Sequence, residues 1–284
     1  MKIGMECVPC FVRQAFEAVN LVTDDPKAKE RILKQVLFRL ANQSFDKTTP
    51  SVGADIHRIV RVLSGDSDPY REVKKDSNMM AQKLLPTMRE LIKNSEDHFE
   101  TAVRLAIAGN IIDSGQGEYI SEQKISQAIS QCLEQRIRKD SIKKLREEIE
   151  KAAKILYLGD NAGEVFFDRL LIEQLNGHPL TYAVRGAPII NDALKDDAKK
   201  AGLDTLVEVI DNGSDAPGTI LEQCSEEFKE RFRDADLVIA KGQGNYESLS
   251  DEERKIIFLL KVKCPVIASH IGCREGDIVI ASRG

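Results

Sequence analysis

The stretch that decides the fold is Lys154-Ile155-Leu156-Tyr157-Leu158-Gly159-Asp160-Asn161-Ala162-Gly163-Glu164. Its apolar run stops abruptly at glycine and acid, which is typical of a buried strand that delivers oxygen-bearing side chains to a sheet edge. Two later stretches, residues 182–192 and 237–245, end in the same manner. Because α/β folds place their chemistry at the carboxyl ends of parallel strands, these three polar strand ends can converge on one site.

The spacing of apolar residues changes near residue 153. Before it, apolar side chains recur at helical spacing and no convincing strand is visible. After it, short apolar runs alternate with amphipathic segments, which predicts a mostly parallel sheet with helices on both faces. The runs lie near residues 154–158, 180–184, 206–210, 236–240, 265–268 and 278–281. We therefore predict an α/β fold with a mainly helical domain or cap over residues 1–150 and an α/β core over residues 151–284.

Proline and glycine next to capping residues mark the ends of the predicted helices. We expect breaks at residues 24–26, 48–53 and 64–69, a central buried helix over residues 99–112, and a charged helix over residues 126–153.

The composition of the chain narrows the classes of molecule that it could bind. The chain of 284 residues has a net charge of -5 with both signs interspersed, no tryptophan and no apolar stretch approaching a membrane span. These features disfavour nucleic acid and membrane partners and favour a small polar ligand. Six dispersed cysteines are typical of reduced thiols rather than a disulfide framework, so we expect a cytoplasmic protein, with oligomerisation possible.

Asp160, Asn161 and Asp192 supply hard oxygen ligands, which suit Mg²⁺ or Mn²⁺. The alternative for each is a helix cap, with helices beginning at Ala162 and Ala193. Because all three residues follow predicted strands, a shared metal site is the better account of the set.

Lys241 ends another apolar run and precedes Gly242-Gln243-Gly244-Asn245, a predicted loop where backbone amides can approach an anion. A lysine with exposed amides is suited to phosphate. The alternative is an ordinary Gly-x-Gly turn with a solvated lysine, and no nucleotide P-loop pattern is present.

Together, residues 159–164, 185–193 and 241–247 resemble the DUF89 family of metal-dependent damage-control phosphatases. Cys7-Val8-Pro9-Cys10 and residues 109–113 are similar to the short, cysteine-bearing, largely prokaryotic branch of that family. The resemblance implies a helical N-terminal part on a Rossmann-like three-layer α/β/α core, with a divalent metal at the carboxyl ends of the strands.

By motif match, the resemblance implies Asp160, Asn161 and Asp192 as ligands of Mg²⁺, Mn²⁺, Co²⁺ or Ni²⁺. It implies phosphorylated metabolites as substrates, either sugar phosphates or damaged or surplus cofactor intermediates. The expected substrate-binding residues are Lys241, Gly242, Gly244, Asn245, Arg185, Asn110 and Asp113. For Asn110 and Asp113, simple helix termination is the alternative.

The expected catalytic residues are Asp160, Lys241 and Glu164. Water activated by the metal is the first-ranked nucleophile, and a covalent aspartyl phosphate on Asp160 is the second. Glu164 could orient the water, although a glutamate in the first turn also stabilises a helix.

Two other functions stay open. An S-adenosylmethionine-dependent carboxyl methyltransferase would use residues 159–163 as a cofactor loop, but the next strand ends in Val184-Arg185 without the acid that such loops need. A non-catalytic metal- or metabolite-binding protein would bind without turnover.

Cys7 and Cys10 have the spacing of half a zinc site or of a redox pair. Distant Cys273 or His57 could complete a zinc site, and we expect structural or loosely metal-binding thiols. His270 is a minor candidate for a proton donor.

Overall fold

The structure is a computed structural model of the chain, and it describes residues 1–109, 122–135, 137, 139–175 and 177–283. The α-helices there are α1 (Cys7–Val22), α2 (Pro26–Ala41), α3 (Thr49–Ser64), α4 (Arg71–Lys93), α5 (His98–Ala108), α6 (Glu122–Glu134), α7 (Lys139–Lys151), α8 (Glu164–Glu173), α9 (Lys195–Lys200), α10 (Glu226–Asp234), α11 (Gly242–Leu249) and α12 (Pro265–Ile271). The strands are β1 (Ile155–Leu158), β2 (Leu180–Val184), β3 (Glu208–Asp211), β4 (Leu237–Lys241), β5 (Ile256–Lys261) and β6 (Ile278–Arg283).

The six strands form one sheet in the order β3-β2-β1-β4-β5-β6. Neighbours from β3 to β5 pair in parallel, and β6 is antiparallel to β5. The chain builds outward from β1 to β3 and then returns to add β4 on the other side. The carboxyl ends of β1 and β4 therefore flank a topological switch point, where open α/β sheets bind their ligands. The predicted mostly parallel, Rossmann-like sheet is confirmed.

The side chains of β1 show why a continuous apolar run forms this strand. Ile155 and Tyr157 join the hydrophobic cluster on one face of the sheet, and Leu156 and Leu158 join the cluster on the other. Successive strand residues point to opposite faces, so a strand covered on both sides must be apolar at every position. Helices cover both faces, as the three-layer prediction requires.

The helical N-terminal region packs in two ways. Helices α1 to α3 enclose a cluster of their own that includes Phe11, Val36 and Ile56. Helices α4 to α7 instead contribute to the same cluster as Tyr157, through residues such as Leu105. The domain boundary at residue 150 stays a prediction, and packing across it is continuous through α4 to α7.

The three predicted helix breaks are confirmed. The Asp25 side chain accepts from the Lys27 amide at 3.1 Å and caps α2. The Thr48 hydroxyl caps α3 by accepting from the Ser51 amide at 3.4 Å, and α3 ends at Gly65 with a left-handed φ of 78°. The predicted buried helix is α5, confirmed through residue 108; its expected continuation lies outside the described residues.

Two predictions about elements are wrong. The run at residues 265–268 is not a strand but helix α12, which begins at Pro265, and the fifth strand is Ile256–Lys261. Proline suits the first helical position because it has no amide to leave unpaired there. The charged helix over residues 126–153 is interrupted and forms α6 and α7.

Among the described residues, no helix combines the length and apolar character needed to cross a membrane. The cytoplasmic location, the absence of nucleic-acid and membrane partners, and the oligomeric state stay predictions.

Candidate functional site

The candidate site lies at the carboxyl ends of two adjacent strands, β1 and β4. Strand β1 is followed directly by Gly159 and Asp160, and β4 ends in Lys241 itself. A Cβ atom on Gly159 would lie 2.5 Å from the Tyr182 hydroxyl, so the backbone can pass there only as glycine. This close approach to Tyr182 fixes the course of the backbone after β1 and places Asp160 at the switch point.

The segment after β2 folds back over this edge and brings Asp192 to the same place. The Ala193 amide donates to the Asp160 carbonyl at 2.8 Å, and the Ala162 amide donates to the Asn191 carbonyl at 2.9 Å. Asn161 and Asp192 form an isolated antiparallel bridge. The predicted trio of Asp160, Asn161 and Asp192 is therefore brought together.

The capping alternative for these acids is wrong. Helix α8 begins at Glu164 with Gly163 as its N-cap, and α9 begins at Lys195 with Leu194 as its N-cap. Neither Asp160 nor Asp192 occupies a capping position.

Backbone strain accompanies the placement of Asp192. Ile190 has a φ of 42°, a left-handed conformation that costs a β-branched residue about 1–3 kcal/mol. Helix α3 holds this segment, because the Arg61 Nη1 donates to the Pro188 carbonyl at 2.8 Å and Ile190 packs against the cluster enclosed by α1 to α3. The N-terminal helices thereby stabilise the loop that carries a candidate ligand.

Arg185 joins the two acids. Its Nε donates to Asp192 Oδ2 at 2.6 Å, and its Nη2 lies 3.7 Å from Asp160 Oδ1. The side chain is only 2% exposed, yet Nη2 has no hydrogen-bond partner within the described residues. A buried guanidinium nitrogen without a hydrogen-bond acceptor costs free energy, so Nη2 is suited to donate a hydrogen bond to a bound anion.

Lys241 lies deeper than its predicted role in phosphate binding suggests. Its Nζ is buried and donates to Asp168 Oδ1 at 2.6 Å and to Glu164 Oε2 at 3.1 Å. Its charge is thus directed at two carboxylates, and in this structure it positions Glu164. Direct phosphate contact by Lys241 stays a prediction.

Asp168 is a residue that sequence reasoning missed. It is fully buried and also accepts from the Tyr157 hydroxyl at 2.8 Å and the Tyr182 hydroxyl at 2.7 Å. Its spacing of four residues after Glu164 puts both acids on one face of α8, which is the only signal that the sequence offers. Glu164 in turn accepts from Asn161 Nδ2 at 2.8 Å, so one hydrogen-bonded chain runs from beneath the sheet edge to the predicted ligands.

The balance of buried charge is negative. We call Asp160, Glu164, Asp168 and Asp192 the acid cluster; all are at most 8% exposed. The buried cations beside them are Lys241 and Arg185. Four carboxylates against two cations leave an excess of two negative charges when all are ionised.

The pKa values reflect this excess. Burial, then repulsion from Glu164 and Asp192, raises the pKa of Asp160 well above its usual range. Burial also raises the pKa of Asp168 and, against the opposing effect of Arg185, that of Asp192. Burial alone would lower the pKa of Lys241, but Asp168 and Glu164 outweigh it and raise that pKa.

The charge and the donor chemistry fit a divalent cation. Asp160, Asp192 and the Asn161 amide offer hard oxygen donors, and two positive charges would cancel the excess of the acid cluster. Within the part of the chain that the structure describes, no three acid, thiol or imidazole ligands are grouped as a ready-made metal site. Asp192 binds Arg185, and Asn161 Nδ2 donates to Glu164.

The predicted anion-binding loop at residues 242–245 is wrong in its structure, because α11 begins at Gly242. Asn245 is fully buried, and its Nδ2 donates to the carbonyls of Gly159 and Lys241 at 3.1 and 2.8 Å. Gly244 packs against Gly218. Asn245 therefore ties β1 to β4, and a substrate contact by Gly242, Gly244 or Asn245 stays a prediction.

Lys263 is a second residue that sequence reasoning missed. It follows β5 and its side chain is exposed. Burial raises the pKa of both Asp160 and Glu247, and the charge of Lys263 opposes part of that rise. Its backbone amide donates to Gln243 Oε1 at 3.1 Å, which fastens this strand end to α11. Polar residues that follow a predicted strand were taken as candidates, so Lys263 would have been included if β5 had been placed correctly.

The remaining candidates are Asn110, Asp113 and His270. Asn110 and Asp113 lie outside the described residues. His270 Nδ1 lies 2.7 Å from the Tyr246 hydroxyl at the end of α12. It therefore stays only a minor candidate for a proton donor.

Comparison with known proteins agrees with this geometry. Residues 3–279 match the family described as the damage-control phosphatase ARMT1-like domain. A damage-control phosphatase of Archaeoglobus fulgidus is 37% identical over 98% of each chain, and one of Pyrococcus horikoshii is 36% identical over 98% of this chain and 97% of its own. An uncharacterised protein of Methanocaldococcus jannaschii is 39% identical over 100% of this chain and 96% of its own.

Among solved structures, the crystal structure of a DUF89 family protein from Pyrococcus horikoshii superimposes with a TM-score of 0.91. The two are 35% identical, and the match covers 100% of both chains. The fold and the motifs thus agree over the full length, and the chain belongs to the damage-control phosphatase ARMT1-like (DUF89) family.

Proposed function

We propose that this protein is a phosphatase that uses a divalent cation to hydrolyse small phosphorylated metabolites, either sugar phosphates or damaged or surplus cofactor intermediates. Membership of the family supports hydrolysis of phosphate esters, and two relatives carry the name damage-control phosphatase. The single observation that carries the proposal is a buried excess of acid beside a guanidinium Nη2 with no hydrogen-bond partner among the described residues. Such a site would attract a cation and would offer a hydrogen-bond donor to an anion.

The cation would be Mg²⁺, Mn²⁺, Co²⁺ or Ni²⁺, held by Asp160, Asn161 and Asp192. When bound, it would polarise the phosphoryl group and lower the pKa of a coordinated water. It would also relieve the repulsion from Glu164 and Asp192, which adds to burial in raising the pKa of Asp160.

The chain's own groups supply the rest. Arg185 Nη2 would donate to a phosphoryl oxygen, and the exposed Lys263 would add positive charge at the rim. Glu164 is 1% exposed and fixed from both sides, by Lys241 at 3.1 Å and Asn161 at 2.8 Å. A carboxylate held in one orientation is suited to align an attacking water.

No observation favours the methyltransferase. A ribose-binding acid would be needed at the end of β2. Arg185 stands there instead and binds Asp192.

The test is phosphate release from a panel of phosphorylated metabolites, using metal-stripped protein with each divalent cation restored separately. We expect turnover that needs a cation and that Asp160→Asn and Asp192→Asn abolish. The matched control is Asp211→Asn. Asp211 lies at the end of β3, the strand next to β2, and its Oδ2 lies 2.6 Å from Lys195 Nζ. Cation-dependent turnover that survives in both site variants would refute the assignment, and so would the absence of turnover with every cation.

A further inference from the structure

The proposed function leaves the pair Cys7 and Cys10 unused. Both residues lie in the first turn of α1, both are half-buried, and neither is in a disulfide. They therefore combine access to solvent with a free thiol.

The spacing places both thiols on one face of the helix. Residues three apart in a helix have Cβ atoms about 5–6 Å apart, and a disulfide needs about 3.5–4.5 Å. Closing the gap requires a shift of roughly 1–2 Å within one turn.

Two side-chain donors lie beside the sulfur of Cys10. Its Sγ accepts from Gln14 Nε2 at 3.6 Å and from Arg13 Nη2 at 3.8 Å. A cation and a helix N-terminus both stabilise negative charge on sulfur, and the thiolate is the form that attacks disulfides.

Burial raises the pKa of each of the four other thiols, including Cys264, whose Sγ accepts from Gln243 Nε2 at 3.6 Å. Burial raises the pKa of Cys132 to about 11 and that of Cys224 to about 12, and each Sγ donates to a backbone carbonyl. The fourth thiol is that of Cys273, and all four are internal controls for reactivity.

A complete zinc site is not favoured. Cys7 packs against the cluster enclosed by α1 to α3, and Cys273 packs against the cluster under α10 to α12. His57 is 2% exposed, and its ring makes a T-shaped contact with Tyr70. Over the described ranges, no third acid, thiol or imidazole joins the pair in a metal-binding group.

We propose that Cys7 and Cys10 form a reversible dithiol–disulfide site whose substrate is a low-molecular-weight disulfide. The Cys10 thiolate attacks one sulfur of the disulfide, forming a mixed disulfide and releasing one thiolate. The Cys7 thiolate then attacks Cys10 Sγ, closing the Cys7–Cys10 bond and releasing the second thiolate. The protein dithiol loses two electrons and two protons, and the small disulfide is reduced to two thiols.

The test uses the full chain, reduced and then exposed to glutathione disulfide, with intact mass and peptide mapping as readouts. We expect the wild type to lose two hydrogen atoms, to carry a Cys7–Cys10 bond and to recover its thiols with reduced glutathione. Cys7→Ser should trap glutathione on Cys10. Before oxidation, Cys10 should be alkylated about tenfold or more faster than Cys264 and Cys273.

Three results would overturn the proposal. Glutathione that stays on Cys10 in the wild type would show that Cys7 does not resolve it. Alkylation of Cys10 no faster than that of Cys264 would show an ordinary thiol. Tight binding of one zinc ion that Cys7→Ser or Cys10→Ser abolishes would assign the pair to a metal. The wild-type measurement decides even if a variant does not fold, and none of these readouts depends on phosphatase activity.

Discussion

Replacing Gly242 by alanine tests whether the acid cluster depends on close packing at the start of α11. Gly242 has a φ of 77°, and a Cβ atom there would lie 1.8 Å from Asp160 Oδ2. Real Cβ contacts stay above 3.0 Å, so the carboxylate must move by at least about 1.2 Å. A misplacement of about 1 Å at a reacting centre costs on the order of 100-fold in rate.

We therefore expect Gly242→Ala to lose about 100-fold in phosphate release and to bind Mn²⁺ more weakly by calorimetry. The left-handed backbone adds about 1–2 kcal/mol of lost stability, measured by urea unfolding. Gly65→Ala is the matched control, because Gly65 has a φ of 78° and a Cβ atom added there would have no neighbouring atom within 4 Å. The control shares the backbone cost and lacks the contact with Asp160.

Comparison of the two variants separates strain from site geometry. Equal loss of stability with activity and Mn²⁺ binding lost only in Gly242→Ala would confirm the argument. Unchanged Mn²⁺ affinity and turnover in Gly242→Ala would refute it, because Asp160 would then have moved without consequence.

Three further predictions concern buried titratable groups. Asp168→Asn should lower the free energy of unfolding in urea by about 3 kcal/mol, since it removes a buried charged partner of Lys241. The control is Glu173→Gln, which breaks a part-exposed ion pair on the same helix and should cost at most about 1 kcal/mol. Equal costs for the two variants would contradict this prediction. Burial lowers the pKa of His57 to about 3, below the unfolded value of 6.5, so stability is lost as the pH falls from 6.5 towards 3. His57→Phe should remove up to about 1.4 kcal/mol per pH unit of that dependence, and an unchanged slope would show that His57 is not buried neutral. Burial raises the pKa of Glu247 to about 7 from 4.5, so its contribution is present below pH 4.5 and lost as the pH rises through 7. Glu247→Gln should lack this loss in urea unfolding across the same window, and parallel curves for variant and wild type would refute it.

Local sequence was enough to locate most of the elements that build the site. The runs before Gly159 and Lys241 are apolar at every position because both faces of β1 and β4 are covered. The turn residues that follow interrupt any helix, so the strand ends and their polar side chains could be read without knowing the partners. The trio Asp160, Asn161 and Asp192 was found in this way.

Strand β5 was missed because short apolar runs do not distinguish a strand from a buried helix. Residues 256–260 and 265–268 are both short apolar runs. The first became a strand because it pairs with β4 and β6, and the second became a helix that starts at Pro265. Misplacing β5 also concealed Lys263.

By itself, then, the sequence determined the α/β class, the family and the candidate ligands, since these depend on local patterns of apolar runs, glycines and acids. Only the tertiary structure decided what those groups bind. Lys241 pairs with Glu164 and Asp168, which lie 77 and 73 positions away, and two tyrosines from β1 and β2 complete the partners of Asp168. A buried charge must find its partners wherever the fold brings them. The role of Lys241 in holding Glu164 is therefore a property of the packed sheet and not of the strand that carries it.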